Sequence, residues 1–193
     1  MSTRDSESGN NQQSATFQER LDALVGKPIR GDSVSHAPDP VNQPMIRHWA
    51  AAFEDHNAAY VDAEFAARSR FGGIVAPPLM LQTWTMATPM ITGIRERGGS
   101  PVPSEGESAL GLFDDAGFTA TLASNSEFEI DRYLRLGDVI SATTVVESIS
   151  TEKQTRVGRG HFLTWLTTYV DQNGETVGTQ RFRILKFMPG TAA

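Results

Sequence analysis

Asp55, Asn57 and Tyr60 fall in the run Asp55-His56-Asn57-Ala58-Ala59-Tyr60, just after an apolar-periodic segment. A carboxylate there can hold or accept a proton, and an amide can orient it. A phenol with an unperturbed pKa of about 10 is a poor base at neutral pH and a better hydrogen-bond donor. His56 does not replace a base, because adjacent side chains project in different directions. Asp55 is equally suited to terminating a turn after its helix. Further on, Gly72-Gly73 either lets the backbone approach a ligand closely or forms a tight turn. Ala76-Pro77-Pro78 then opens a long apolar stretch. A helix start there would present backbone N–H groups to developing negative charge, yet Pro78 has none to give. Leu79 and Met80 remain as shifted donors.

Cations gather late in the chain, at Lys153, Arg156, Arg159, Arg181, Arg183 and Lys186. Alternation along a strand sets Arg159 and His161 on the same face as Leu163 and Trp165. That is either a cationic approach to an apolar stripe or a set of solvated charges that discourage edge pairing. His161 reads as a hydrogen-bonded structural residue or as a replacement base. Asp55, His56 and Asp62 have no further His or Cys at ligand spacing, so no metal is expected. Trp49, Trp84 and Met90 read as core.

These residues need elements to hold them. A first short helix, FQERLDALVG, carries Phe17, Leu21, Leu24 and Val25 on one side and closes at Gly26. Pro28 to Ser35 is strand-like, and HAPDP turns the chain. Asn42 and Pro44 start a helix whose apolar face is Met45, Ile46, Trp49, Ala50 and Phe53. A second short helix is capped by Asp62 and is expected to bury Phe65 and Ala66. Pro78 to about Ile94 has no charged residue and is apolar round most of its circumference, which predicts a helix inside the fold, kinked at Pro89. Residues 97–123 are rich in Gly, Ser and Pro and read as a long lid-like loop. Glu127 to Leu134, Val139 to Ile149, Arg156 to Val170 and Glu175 to Phe187 read as strands, the last two joined at Asn173-Gly174.

The chain has 193 residues, no cysteine and a net charge of −6. One domain over 17–193, preceded by a polar, disordered tail over 1–16, is the expectation. Acidity argues against nucleic-acid and anionic-membrane partners. The lack of cysteine excludes disulfides and thiolate chemistry, and is compatible with a reducing cytoplasm. No apolar run is long enough to span a bilayer, and the first residues lack the apolar region of a secretory leader. The fold class expected is α+β, an antiparallel sheet wrapped around a long central helix. Its edge strands and open face call for a dimer.

PVNQPMIRHWAAAFEDHNAAYVD, RFGGIVAPPLMLQTW, RYLRLGDVI and QNGETVGTQRFRILKF together resemble the MaoC-like hydratase/dehydratase family, in its FAS1-like dehydratase branch, over residues 25–188. The resemblance implies the hot-dog fold and hydration of enoyl-CoA thioesters, with no cofactor besides the CoA thioester itself. Active members carry D-x-N-P-x-H, whose Asp and His activate the water. Asp55 and Asn57 match that motif, whereas Tyr60 stands at the histidine. Active members also place an oxyanion-binding glycine where Pro78 stands here. PVNQPMIRHW further resembles subunits of actinobacterial steroid side-chain hydratases, in which a degenerate chain pairs with a catalytic one. Some of those relatives carry a further C-terminal domain. The implied function is the acyl-CoA-binding, non-catalytic half of such a heteromer, with a MaoC-like partner or a second copy. Gly73, Ala76 and Pro78 would then line the thioester site, and Arg159 and His161 the CoA approach. A hot-dog thioesterase is the alternative, although no acid occurs between Leu79 and Ile94. A non-enzymatic acyl-CoA-binding module is another.

Overall fold

The β-branched and aromatic content after residue 119 becomes an antiparallel sheet. In the computed structural model, which describes residues 16–29, 34–96 and 109–189, six strands form it. They are β1 (Val34–His36), β2 (Ala120–Ile130), β3 (Ser141–Ile149), β4 (Lys153–Thr155), β5 (Gly158–Val170) and β6 (Thr176–Pro189). The order is β1-β3-β5-β6-β2, with β4 pairing off β5. β5 and β6 pair along nearly their full length, so they are the sheet's spine. Asp171 closes their turn: its Oδ1 accepts the Asn173 and Glu175 amides at 2.8 and 3.1 Å, and Gly174 takes a positive φ of 78°.

Among the described residues five α-helices accompany the sheet: α1 (Phe17–Asp22), α2 (Gln43–Ala52), α3 (Ala58–Val61), α4 (Ala63–Arg68) and α5 (Ala109–Asp115). Their starts follow from side chains. Thr16 and Glu19 make a reciprocal cap on α1. Asn42 accepts the Met45 amide, with Pro44 in the first turn of α2. Asp62 accepts the Phe65 amide at the start of α4.

Several expectations need correction. The second short helix forms as expected behind its Asp62 cap, as α4, and a further four-residue helix, α3, precedes it. Ala66 is buried as expected, but Phe65 is 47% exposed; adjacent helical positions point about 100° apart, so so short a helix buries one of them. Of the strand expected over Pro28 to Ser35, Pro28 makes an isolated bridge with Val145 and Val34 and Ser35 belong to β1, while residues 30–33 lie outside the described residues. The 97–123 loop is not all loop, since α5 and the start of β2 occupy its second half. Residues 97–108, and 1–15 of the expected tail, lie outside the described residues; Thr16 belongs to the α1 cap.

The largest correction concerns the central helix. It is a 3₁₀ segment of eight residues, Pro78–Thr85, after which Met86 is extended with ψ 131°. Pro89 explains the length: its ring clashes with the carbonyl of Thr85 four residues back, and it drives Thr88 out of the helical region. Met80, Leu81 and Trp84 of this segment are buried, while Leu79, Met86, Met90 and Ile91 are exposed. The segment lies directly on the sheet. A Cβ on Gly178 of β6 would come within 3.0 Å of Leu81 Cδ2 and 2.6 Å of Glu129 O, so glycine is what lets β6 carry it.

The interior divides in two. One cluster joins Ile46, Tyr60, Val75, Met80, Trp84 and Ile140 under α2–α4 and the 3₁₀ segment. The other joins Leu21, Phe113, Phe118, Val146 and Leu163 under α1 and α5. A polar chain runs near the first: Tyr169 Oη donates to Gln180 Oε1, and Gln180 Nε2 donates to Gln82 Oε1 at 2.8 Å and Ser126 Oγ at 2.9 Å. Burial pushes the Tyr169 phenol far up, so it stays a donor.

Candidate functional site

The sequence's clearest chemical run sits where α2 ends. The Asp55 amide closes onto Ala50 O at 2.8 Å, and Glu54 before it adopts a left-handed φ of 53°. Asp55 Oδ1 accepts the Asn57 amide at 3.0 Å, and Asn57 Oδ1 accepts the Ala59 amide at 3.1 Å. Both polar side chains thus shape two successive turns, as the structural reading of Asp55 expects. They also bring Tyr60 into place: its amide donates to Asn57 O, and its carbonyl accepts from Gln43 Nε2.

The Tyr60 side chain is almost wholly buried. Burial first, then the neighbouring Tyr133 and Asp55, holds its phenol above the ordinary value, against the opposing pull of a hydrogen bond with the Asn57 side chain. Asp55, Asn57 and Tyr60 therefore form one electrostatic group. Tyr60 in it is a neutral donor throughout the physiological range.

The loop after α4 leads back to this group. Gly72 has a φ of 69°, and a Cβ at Gly72 or Gly73 would meet nothing within 4 Å. Gly72 is a turn glycine, and both glycines face open space. Val75 N–H donates to Ala59 O at 3.3 Å, and Ala76 N–H to Leu134 O at 2.9 Å. Pro77 and Pro78 have no N–H, and the Met80 amide is taken by Pro77 O at 3.0 Å. The expected shifted donor at Met80 is thus already engaged. Leu79 N–H is the donor left in this turn.

Arg159 and His161 are elsewhere. His161 is buried in the second cluster, ringed by Phe17, Phe113 and Phe118 at centroid distances of 5.7, 5.7 and 4.9 Å. Its Nδ1–H donates to Ser150 O at 2.8 Å. Arg159 is exposed and pairs loosely with Glu152 at 3.8 Å. His161 and Tyr169 lie eight residues apart on β5, about 26 Å at strand rise. The structure does not bring the β5 pair to the Tyr60 group. Alternation found their face correctly but not which end of the sheet they serve.

Sequence reasoning missed Tyr133. Its ring lies 4.8 Å from that of Phe71, and it packs against the first cluster beside Tyr60. An aromatic directly after a strand, in RYLRLGDVI, was the available signal. Trp84 Nε1 is a buried donor without an acceptor among the described residues.

A family model described as FAS1-like, dehydratase domain region matches residues 29–180. The chain belongs to the FAS1-like dehydratase domain family. Among relatives of this FAS1-like domain, a probable enoyl-CoA hydratase alpha subunit of Thermomonospora curvata is 44% identical over 179 residues, covering 90% of this chain and 52% of the relative. A 3-oxo-4,17-pregnadiene-20-carboxyl-CoA hydratase alpha subunit of Mycobacterium tuberculosis is 39% identical over 153 residues, covering 79% and 47%. The chain thus spans about half the length of the curated relatives it matches. A chain of the ChsH1–ChsH2 complex from Mycobacterium tuberculosis superposes with a TM-score of 0.74 at 35% identity, covering 91% of this chain and 93% of that one. The α+β hot-dog class read from the sequence is therefore the fold of this FAS1-like domain, with its central helix shortened. Among the described residues no helix is long and apolar enough to cross a membrane, and no group of three acidic, His or Cys side chains is placed to hold a metal.

Proposed function

We propose that this chain is the acyl-CoA-binding, non-catalytic half of a heteromeric enoyl-CoA hydratase acting on bulky thioesters of the steroid side-chain kind, in a reducing cytoplasm. The observation that carries the reading is Tyr60. It occupies the place of the base in active relatives, yet burial and its neighbours keep it protonated. It can hold a ligand oxygen but cannot take a proton from water at neutral pH. The backbone supports the same conclusion. Ala76 and Met80 have spent their N–H groups and the two prolines have none, so the donor at the usual position is missing and Leu79 N–H is left as a shifted donor for an enolate oxygen.

The chain's part is then to bind and orient. The first cluster offers apolar walls, and the early end of the 3₁₀ segment leaves Met86, Met90 and Ile91 exposed, where a rigid helix would have filled the space. A MaoC-like partner supplies the Asp/His pair that delivers water to the β-carbon and a proton to the α-carbon. The thioester is the substrate and the reaction needs no other cofactor. The names of the Thermomonospora and Mycobacterium relatives, both alpha subunits of hydratases, support the heteromer.

Restoring the histidine separates these two losses. Tyr60→His in the chain alone should give no loss of enoyl-thioester absorbance from crotonyl-CoA, because the donor at the usual oxyanion position, occupied by Pro78, is still absent. Measurable turnover by Tyr60→His alone would show that the site was one substitution from catalysis and that the backbone argument is wrong.

A further inference from the structure

Resting on the acyl-CoA reading above, the geometry points to the face around the Gly72–Gly73 loop, with Arg70 and Arg135 as phosphate-binding cations and Phe71 and Tyr133 as its aromatic floor, as the place where the CoA moiety docks. This moves the CoA approach from β5 to the opposite end of the sheet.

Four features carry it. The Arg70 guanidinium stands over the Phe71 ring at 4.8 Å, and that ring lies 4.8 Å from the ring of Tyr133. Cation, ring and ring therefore form one contiguous cluster, the two rings tilted by 47° to each other, which offers a cation and aromatic surface to a ligand. Second, the cluster is held by backbone. Val75 bridges Arg135 and the Ala76 amide donates to Leu134 O at 2.9 Å, so Arg70 and Arg135 flank one pinned segment from two sides. Third, among the described residues neither Arg70 nor Arg135 pairs with a carboxylate. Arg68, Arg132, Arg159, Arg181 and Lys186 all do, and the carboxylate nearest Arg135 in sequence, Asp138, is held by Arg132 and by the Arg135 amide. Two free forks are suited to phosphate oxygens. Fourth, the two glycines between them face open space, so backbone rather than side chain meets whatever lies there.

The floor of this face continues inward to the Tyr60 group, since Tyr133 packs on the cluster that contains Tyr60. A thioester whose phosphates rest on Arg70 and Arg135 would reach the Tyr60 group rather than the β5 end. The β5 candidates are otherwise engaged, with His161 buried among phenylalanines and Arg159 beside Glu152.

The test is a calorimetric titration of the purified chain with crotonyl-CoA and with its 3′-dephospho analogue, at low and high salt. Wild type should bind crotonyl-CoA more tightly than the dephospho analogue, with affinity falling as salt rises. Arg70→Gln/Arg135→Gln should lose about tenfold in affinity and most of the preference for the 3′-phosphate, with its melting temperature unchanged. Arg159→Gln should bind like wild type. Equal binding by wild type and the double variant, or a loss confined to Arg159→Gln, overturns the docking face while leaving the hydratase reading intact. No binding by wild type also overturns it; the hydratase reading fails separately, if no mixture with a partner subunit hydrates the thioester.

Discussion

Gly160→Ala is expected to lower the melting temperature by about 6–12 °C, the consequence of roughly 3 kcal/mol of overpacking in a domain of this size. A Cβ there would stand 2.3 Å from Lys186 O, 2.7 Å from Phe187 Cβ and 2.9 Å from Phe187 Cα. Two of these are backbone atoms of the paired strand, which cannot swing aside as a side-chain tip would. Gly160 faces Phe187 directly in the β5–β6 register, so relief requires the two central strands to separate. The neighbouring pair is His161 and Lys186, both buried, and Lys186 Nζ is neutralised by Asp114 of α5. Opening the ladder at this point also loosens α5 and exposes a buried cation. Gly73→Ala is the matched control: a Cβ there meets nothing within 4 Å, and the melting temperature should move by less than about 2 °C. Thermal melts by circular dichroism read both.

Arg132→Ala should cost about 5–10 °C in the same measurement. One guanidinium bridges Asp138 at 2.7 Å and Asp171 at 2.8 Å, tying the segment after β2 to the β5–β6 turn. Both carboxylates are buried, and removal of the arginine strands them. The hydrogen bond from Arg132, helped by the Asn173 and Glu175 amides and opposed by burial, holds the Asp171 carboxyl below its ordinary value. In the window between that lowered pKa and the unfolded value of about 3.9, the unfolded chain binds the extra proton. Stability therefore rises with pH through the window; it is fully present above about pH 4 and is lost as acid takes the pH down through the folded pKa. Arg132→Ala should flatten this acid limb. A variant that melts lower but keeps the wild-type acid limb would show that Asp171 is held by its turn amides rather than by Arg132.

What the sequence made legible was periodic. β3, β5 and β6 could be placed because β-branched and aromatic residues alternate there, and Asn173-Gly174 marked their turn. The first half of β2 was hidden, because ATLASNS is mostly small and polar and is exposed on both faces, so no buried side leaves an alternating pattern. The central segment was misjudged for a different reason. An unbroken apolar run reports burial, not helix length, and Pro89 acts on a carbonyl four residues earlier than itself. The Asp55–Asn57–Tyr60 group was legible because its members are close in the chain. Tyr133 was not, since it is distant in the chain and the bridges of Val75 and Ala76 to Arg135 and Leu134 hold its segment against that of the group.

A chain that binds but does not catalyse can be recognised by following enoyl-thioester absorbance with crotonyl-CoA and a steroid side-chain enoyl-CoA. The chain alone, a MaoC-like partner alone and the two together should be compared. The expected result is no turnover by the chain alone, and hydration by the mixture beyond that of the partner. Turnover by the chain alone would contradict it, and would mean that Asp55 works with a base other than Tyr60.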